Sequence, residues 1–238
     1  PMVPAKTASF SSRNQMIAAA REAKRVKKIE YLTLEEFLAV AQGETITITT
    51  KKKPVNEIVT LHNQINRSYN STAESGQLYE AVEFCPSPGY ETLSIYVKVT
   101  DNYADKVPEI FEVLGQSGLG KRKSAGKGAF KLIDYDIFEG FNQVEEPNAF
   151  ITLSNFVPAK KEPVNGYYKS MVKYGKLGEL YALSEHPFKR PLFMIKAGSV
   201  FRDKPVREYY GQLVKAVAPA HPEVVHYGYA FAVPAKVE

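Results

Sequence analysis

Residues 115–130 (GQSGLGKRKSAGKGAF) hold the densest set of groups able to do chemistry. Gly115, Gly118, Gly120, Gly126 and Gly128 are interleaved with Lys121, Arg122, Lys123 and Lys127, and the stretch has no acidic residue. Glycine admits positive φ and lets another backbone come close. Bare amides in such a loop form a concave cradle for anions, and the cations beside them add charge. Amides and cations without a carboxylate suit a phosphate. Ser124 adds a hydroxyl that can donate to a phosphate or to a ribose 2′-hydroxyl. The bland alternative is a solvated basic turn.

The surrounding order decides which phosphate is meant. Residues 104–114 read as a helix, with Val107, Ile110, Phe111 and Leu114 at the spacing of one buried face. Residues 129–138 are rich in strand formers. A nucleotide P-loop runs strand, loop, helix, so that the phosphate meets a helix N-terminus; here the order is helix, loop, strand. Gly115, Gly120 and Lys121 fit Walker A spacing, but Arg122 stands where Ser or Thr would bind magnesium. ATP or GTP binding is therefore disfavoured.

The second chemically dense segment is 61–79 (LHNQINRSYNSTAESGQLY). It is too polar for a core and long for a connection, and such loops tend to be functional or disordered. His62, Asn63, Asn66 and Arg67 are its candidate contacts, each with a local turn hydrogen bond as the alternative. Of the four histidines, His62 is the best candidate for a general acid or base, but no partner is evident in sequence. His186, His221 and His226 read as surface or satisfied structural residues. No second pair or cysteine completes a zinc site with His221 and His226, and no acidic cluster suggests a two-metal nuclease. Glu35–Glu36 and Glu145–Glu146 are adjacent pairs, which in a strand would point to opposite faces. No catalytic residue, metal or cofactor is assigned.

The chain has 238 residues, a formal net charge of +5 and 44% hydrophobic residues. That is enough for a real core, with a bias towards a polyanionic partner. Fifteen Tyr and thirteen Phe offer flat side chains for base stacking, although most fall in strand-like patterns that suit a core. The single cysteine, Cys85, excludes an internal disulfide and fits a reducing cytoplasm; it reads as a small buried apolar residue. No apolar run approaches a membrane span.

The remaining elements position these loops. Residues 13–29 read as a helix, apolar at Met16, Ala20, Ala23 and Val26 and basic at Arg21, Lys24, Arg25, Lys27 and Lys28. Thr33 and Glu36 form a capping box that opens a short helix ended by Gly43. Strands are expected over 44–50, 76–84, 91–99 and 129–138. Further strands are expected over 148–156, 167–174, 192–201 and 224–233, while 209–217 suits strand or helix. Strands outnumber helices without strict alternation, which argues for α+β with antiparallel sheets. The domain boundary is placed at a polar stretch near 142, giving 1–142 and 143–238.

Three segments resemble one known superfamily. Residues 118–130 (GLGKRKSAGKGAF) are similar to the glycine-rich loop of the RAMP superfamily of CRISPR proteins. His62 to Arg67, with Thr72, Ala73, Gly76, Leu78 and Tyr79, resemble its thumb-like hairpin. Gly198 to Phe201 and residues 227–234 (YGYAFAVP) resemble the end of the Csm-four family of type III-A effector subunits. The resemblance implies two ferredoxin-like (RRM-like) domains. The strand and helix that open that family are not found here, so the first domain is expected to be incomplete: either the chain is a fragment of a longer subunit or those elements are supplied elsewhere. It implies a noncatalytic, cytoplasmic subunit in antiviral defence that holds the 5′ repeat-derived tag of the CRISPR RNA (crRNA). Its implied partners are the large polymerase-like Csm-one subunit, the Csm-three backbone subunit and, indirectly, target RNA, with no membrane. Gly118, Gly120, Lys121, Arg122, Lys123, Ser124, Gly126, Lys127 and Gly128 would track phosphates, and the hairpin residues would wedge against bases. The alternatives are the related Cmr-type subunit and a metal-independent endoribonuclease of the same superfamily.

Overall fold

The structure, a computed structural model, describes residues 12–27, 29–47, 53–63, 65, 68, 78–120 and 122–237. The chain divides into two compact units. One is drawn from Pro1–Lys28, Thr33–Thr47 and Val97–Glu238, and the other from Ile29–Leu32 and Ile48–Tyr96. Among the described residues, no helix is long and apolar enough to cross a membrane.

The first unit opens with α1 (Arg13–Lys27) and α2 (Leu34–Ala41). α1 forms as the sequence predicts, yet its apolar residues Met16, Ile17 and Val26 are exposed. α2 starts at the expected capping box. The Glu36 amide donates to Thr33 Oγ1 at 3.3 Å, and the Thr33 amide donates to Glu36 Oε2 at 2.9 Å.

The second unit is built on a long antiparallel hairpin of β1 (Val55–Asn63) and β2 (Leu78–Pro86), paired from Val55↔Pro86 to Asn63↔Leu78. Its base is tied where Ser87 Oγ donates to the Lys53 carbonyl at 2.7 Å. β1 is a strand the sequence analysis did not expect. Cys85 is half-buried rather than fully enclosed.

Within the first unit the chain continues as α3 (Asp101–Ala104) and α4 (Val107–Ser117). The inward line of α4 runs through Val107, Phe111, Leu114 and Gly115, while Ile110, expected on the same face, is exposed.

The expected strands over 44–50, 91–99 and 129–138 do not form ladders: 44–47, 91–99 and 129–138 lie outside regular structure, and 48–50 lie outside the described residues. The physical reason is pairing. A strand-forming sequence becomes a strand only against a neighbour that takes its N–H and C=O groups. Ile133 and Ile137 accordingly stand 78% and 76% exposed.

The rest of the first unit carries its core. The strands are β3 (Ala149–Thr152), β4 (Gly166–Tyr167), β5 (Ser170–Lys173), β6 (Leu192–Ile195), β7 (Val200–Arg202), β8 (Gly211–Val214), β9 (His226–Tyr229) and β10 (Ala232–Ala235). A four-stranded antiparallel sheet runs β10-β3-β7-β4, with two-stranded pairs β5-β6 and β8-β9. The α+β class with antiparallel sheets is thus seen. The predicted strand over 192–201 is split into β6 and β7 by a turn at Gly198, where φ is 81°.

β3 is buried along its whole length. Alternation sends Ala149 and Ile151 to one face, where they pack with Ala41 of α2, Val200 and Ala235. Phe150 faces the other way, into a cluster with Phe156, Ile195, Phe201 and Tyr210. The Phe150 and Tyr210 rings stack with centroids 3.6 Å apart. Tyr210 is itself fixed by its hydroxyl, which donates to Asp203 Oδ2 and accepts from the Arg207 amide, both at 2.8 Å. Burial, reinforced by the Asp203 carboxylate, pushes the Tyr210 phenol far above its ordinary pKa, with the Arg207 amide opposing.

Phe150→Ala is expected to cost about 3–5 kcal/mol of stability. Tyr210→Phe, which removes only the bridging hydroxyl, should cost about 1–3 kcal/mol. Urea unfolding of both variants checks the order; equal losses would place the stabilisation in the hydroxyl rather than in the stacked rings.

Candidate nucleic-acid interface

The glycine loop grows directly out of α4. Gly118 ends the helix, its amide donating to the Leu114 carbonyl at 2.9 Å while its φ of 79° turns the chain away. Leu119 donates to the Gly128 carbonyl at 2.9 Å, and Phe130 donates to the Gly115 carbonyl at 3.2 Å, so the loop is closed twice at its base. Between the closures lies a 3-10 turn over Lys123–Ala125, ended by Gly126 in the left-handed region.

Three glycines are required by this closure. A Cβ on Gly115 would collide with the Phe130 carbonyl. A Cβ on Gly118 would lie 2.7 Å from the Lys127 carbonyl oxygen. A Cβ on Gly128, where φ is 77°, would collide with the Leu119 carbonyl. The amides of Gly118, Leu119, Ala125, Gly126 and Lys127 all donate within the loop or to α4. Much of the expected amide cradle is therefore spent on closing the loop. The cations then become its main source of positive potential. Arg122 is half-buried, and Lys123 and Lys127 are exposed.

The loop thus brings together Gly118, Gly120, Arg122, Lys123, Gly126, Lys127 and Gly128, with the Ser124 backbone inside the 3-10 turn. Lys121 lies outside the described residues. His62 and Asn63 sit on β1, in the other unit, and Asn66 and Arg67 lie outside the described residues.

His62 lies opposite Tyr79 in the hairpin, and the two rings stack with centroids 5.6 Å apart. Its Nε2 is 3.0 Å from Thr60 Oγ1 and 3.9 Å from Glu83 Oε1. A carboxylate neighbour for His62, not evident in sequence, is therefore supplied by strand register. β1 places residues 60 and 62 on one face, and pairing brings Tyr79 and Glu83 to the same face.

The other histidines differ among themselves. His221 packs against the Tyr181 ring at 4.6 Å, with Nδ1 3.5 Å from Glu223. His226 lines a cleft with Lys173, Lys176, Lys189 and Arg190, a cluster that sequence reasoning missed. Its four cations come from two separate segments. The only sequence signal was their basic character, since the pairing that joins them is a tertiary fact. Among the described residues, no three His, Cys, Asp or Glu side chains converge as a metal site.

No family model matches the chain, and no curated protein matches it. Among solved structures it is similar to a chain of the Csm3-Csm4 subcomplex in the type III-A CRISPR-Cas interference complex, with a TM-score of 0.48 and 17% sequence identity. The match covers 86% of this chain and 60% of that chain.

Gly128→Ala is expected to open the loop base. The cost is about 1–3 kcal/mol from the left-handed backbone alone. Gly178→Ala, where a Cβ meets nothing within 4 Å, serves as the neutral control. Amide hydrogen exchange at Leu119 should speed up in the first variant and stay unchanged in the second.

Proposed function

We propose that this chain is a noncatalytic RNA-binding subunit of a type III-A CRISPR ribonucleoprotein. In this reading it holds the 5′ repeat-derived tag of the crRNA and bridges the large polymerase-like subunit to the backbone subunits. The observation that carries the proposal is the closed, acid-free loop at 115–130. It presents Arg122, Lys123 and Lys127 from a base that internal hydrogen bonds hold in place. Such a loop can neutralise consecutive phosphates without a metal. The resemblance of the loop, the hairpin segment and residues 227–234 to RAMP and Csm-four sequences supplies the particular complex. It also supplies the two ferredoxin-like domains, 1–142 and 143–238, the first without its opening strand and helix. The long β1–β2 hairpin, with His62 stacked on Tyr79 near its outer end, suits the thumb-like wedge of that reading.

One observation favours a second reading. The proximity of Glu83 and Thr60 to His62 gives that imidazole the neighbours a general acid–base needs. This would make the chain a metal-independent endoribonuclease acting on CRISPR RNA.

Two measurements separate these readings. Replacing Lys121, Arg122 and Lys123 by Gln should weaken RNA binding and flatten the dependence of log K on log[salt] by about two to three units. An unchanged slope would remove the loop from the interface. Incubated repeat RNA should stay intact with wild type and with His62→Ala alike. A product band lost in His62→Ala would establish the nuclease instead.

A further inference from the structure

The second basic feature lies away from the glycine loop in sequence and has its own frame. β5 and β6 pair up to Lys173↔Leu192, and the two chains stay together beyond the strands. The Lys189 amide donates to the Gly175 carbonyl at 2.8 Å, Lys176 bridges to Phe188, and the Leu177 amide donates to the Pro187 carbonyl at 2.7 Å. The Arg190 amide donates to the Val217 carbonyl at 2.7 Å, which fixes the same segment from another side. His226, first residue of β9, is held opposite Val214 of β8. Four cations and an imidazole therefore meet on pinned backbone around a cleft of about 170 Å³. Gly175 lets the Lys189 stem pack across it: a Cβ there would lie 3.3 Å from Lys189 Cδ.

Three properties define what the cleft accepts. Among the described residues no carboxylate lines it, so none of them cancels its positive charge from within. Among the described residues the buried Nε2 of His226 has no hydrogen-bond partner, although buried polar side-chain atoms are mostly satisfied. The volume equals about five or six waters and is below the roughly 300 Å³ at which pockets for whole small molecules begin. It suits one compact oxyanion and is too small to enclose a nucleoside. Burial, with Lys173 and Lys189 adding to it, holds the His226 imidazole below its ordinary pKa.

We propose that this cleft is a phosphate-binding site. Lys173, Lys176, Lys189 and Arg190 supply charge, and the His226 ring forms part of the wall. Arginine brings a planar fork and lysine a point charge, the two usual means of holding phosphate oxygens. The phosphate belongs either to the free ion or a chain end, or to a diester within RNA, and the chemistry at the cleft is shared. The site stands on its own geometry and does not depend on the RNA-subunit reading.

The test is a titration of the full chain with inorganic phosphate at constant ionic strength, with chloride as comparator, followed by the NMR amide signals of Lys189 and Tyr227. A saturable shift with phosphate and not chloride is expected. It should weaken roughly tenfold in Lys173→Met/Lys189→Met, and clearly in Arg190→Gln, which changes only an exposed side chain. A short RNA without a terminal phosphate should displace the ion if the source is a diester; displacement only by its 5′-phosphorylated form would assign a chain end. The Lys121, Arg122 and Lys123 replacements should leave this binding unchanged, so failure of the loop reading and failure of the cleft are separate results. No saturable shift, or one indifferent to Lys189 and Arg190, would overturn the proposal.

Discussion

Burial of Ala149–Thr152 on both faces is the constraint from which the core of the first unit follows. A strand enclosed on both sides must find a backbone partner at each edge and apolar cover above and below. β10 and β7 take the edges. α2 covers the side of Ala149 and Ile151, and the stacked rings of Phe201 and Tyr210 cover the side of Phe150. The one polar atom brought deep with the rings, the Tyr210 hydroxyl, is answered by Asp203 and by the Arg207 amide. This satisfied geometry lets Tyr210 sit almost wholly out of water at 1% exposure. Within the same unit the glycine loop after α4 is less well enclosed than this frame.

The same constraint explains which elements could be read from sequence. Residues 148–156, 167–174, 192–201 and 224–233 carry strand patterns and find partners within the chain, so each expectation corresponds to observed strands, split where a turn intervenes. The Thr33 capping box is purely local chemistry and was equally legible. The patterns over 91–99 and 129–138 are as strong, with Leu93, Ile95, Ile133 and Ile137 among their residues, yet they form no ladder. Composition reports that a segment favours a strand; it does not report whether a neighbour is available. β1 failed in the opposite sense. Its residues Val55, Ile58, Val59 and Leu61 break strict alternation, and only nine consecutive pairings with β2 make it a strand.

For the candidate sites the divide is between contiguous and assembled chemistry. The glycine loop was legible because its cations and glycines lie within one stretch. Its closure by Leu119 and Gly128 was not, because that depends on which amide meets which carbonyl. The Glu83 neighbour of His62 is set by hairpin register, and the cleft of Lys173, Lys189 and His226 by three chain segments meeting. Residue type alone carries no information on either meeting.

The bare strand-like stretch around Ile133 and Ile137 has a practical consequence for handling the protein. Its exposed apolar side chains and backbone groups outside any sheet offer a template for other chains, which Lys131, Asp134 and Asp136 between them oppose. Self-association of this chain, where it occurs, is expected to start at this stretch rather than through loss of the β3 core. The remedy lies in solubilising substitutions at Ile133 and Ile137, where nothing in the hydrophobic interior is disturbed.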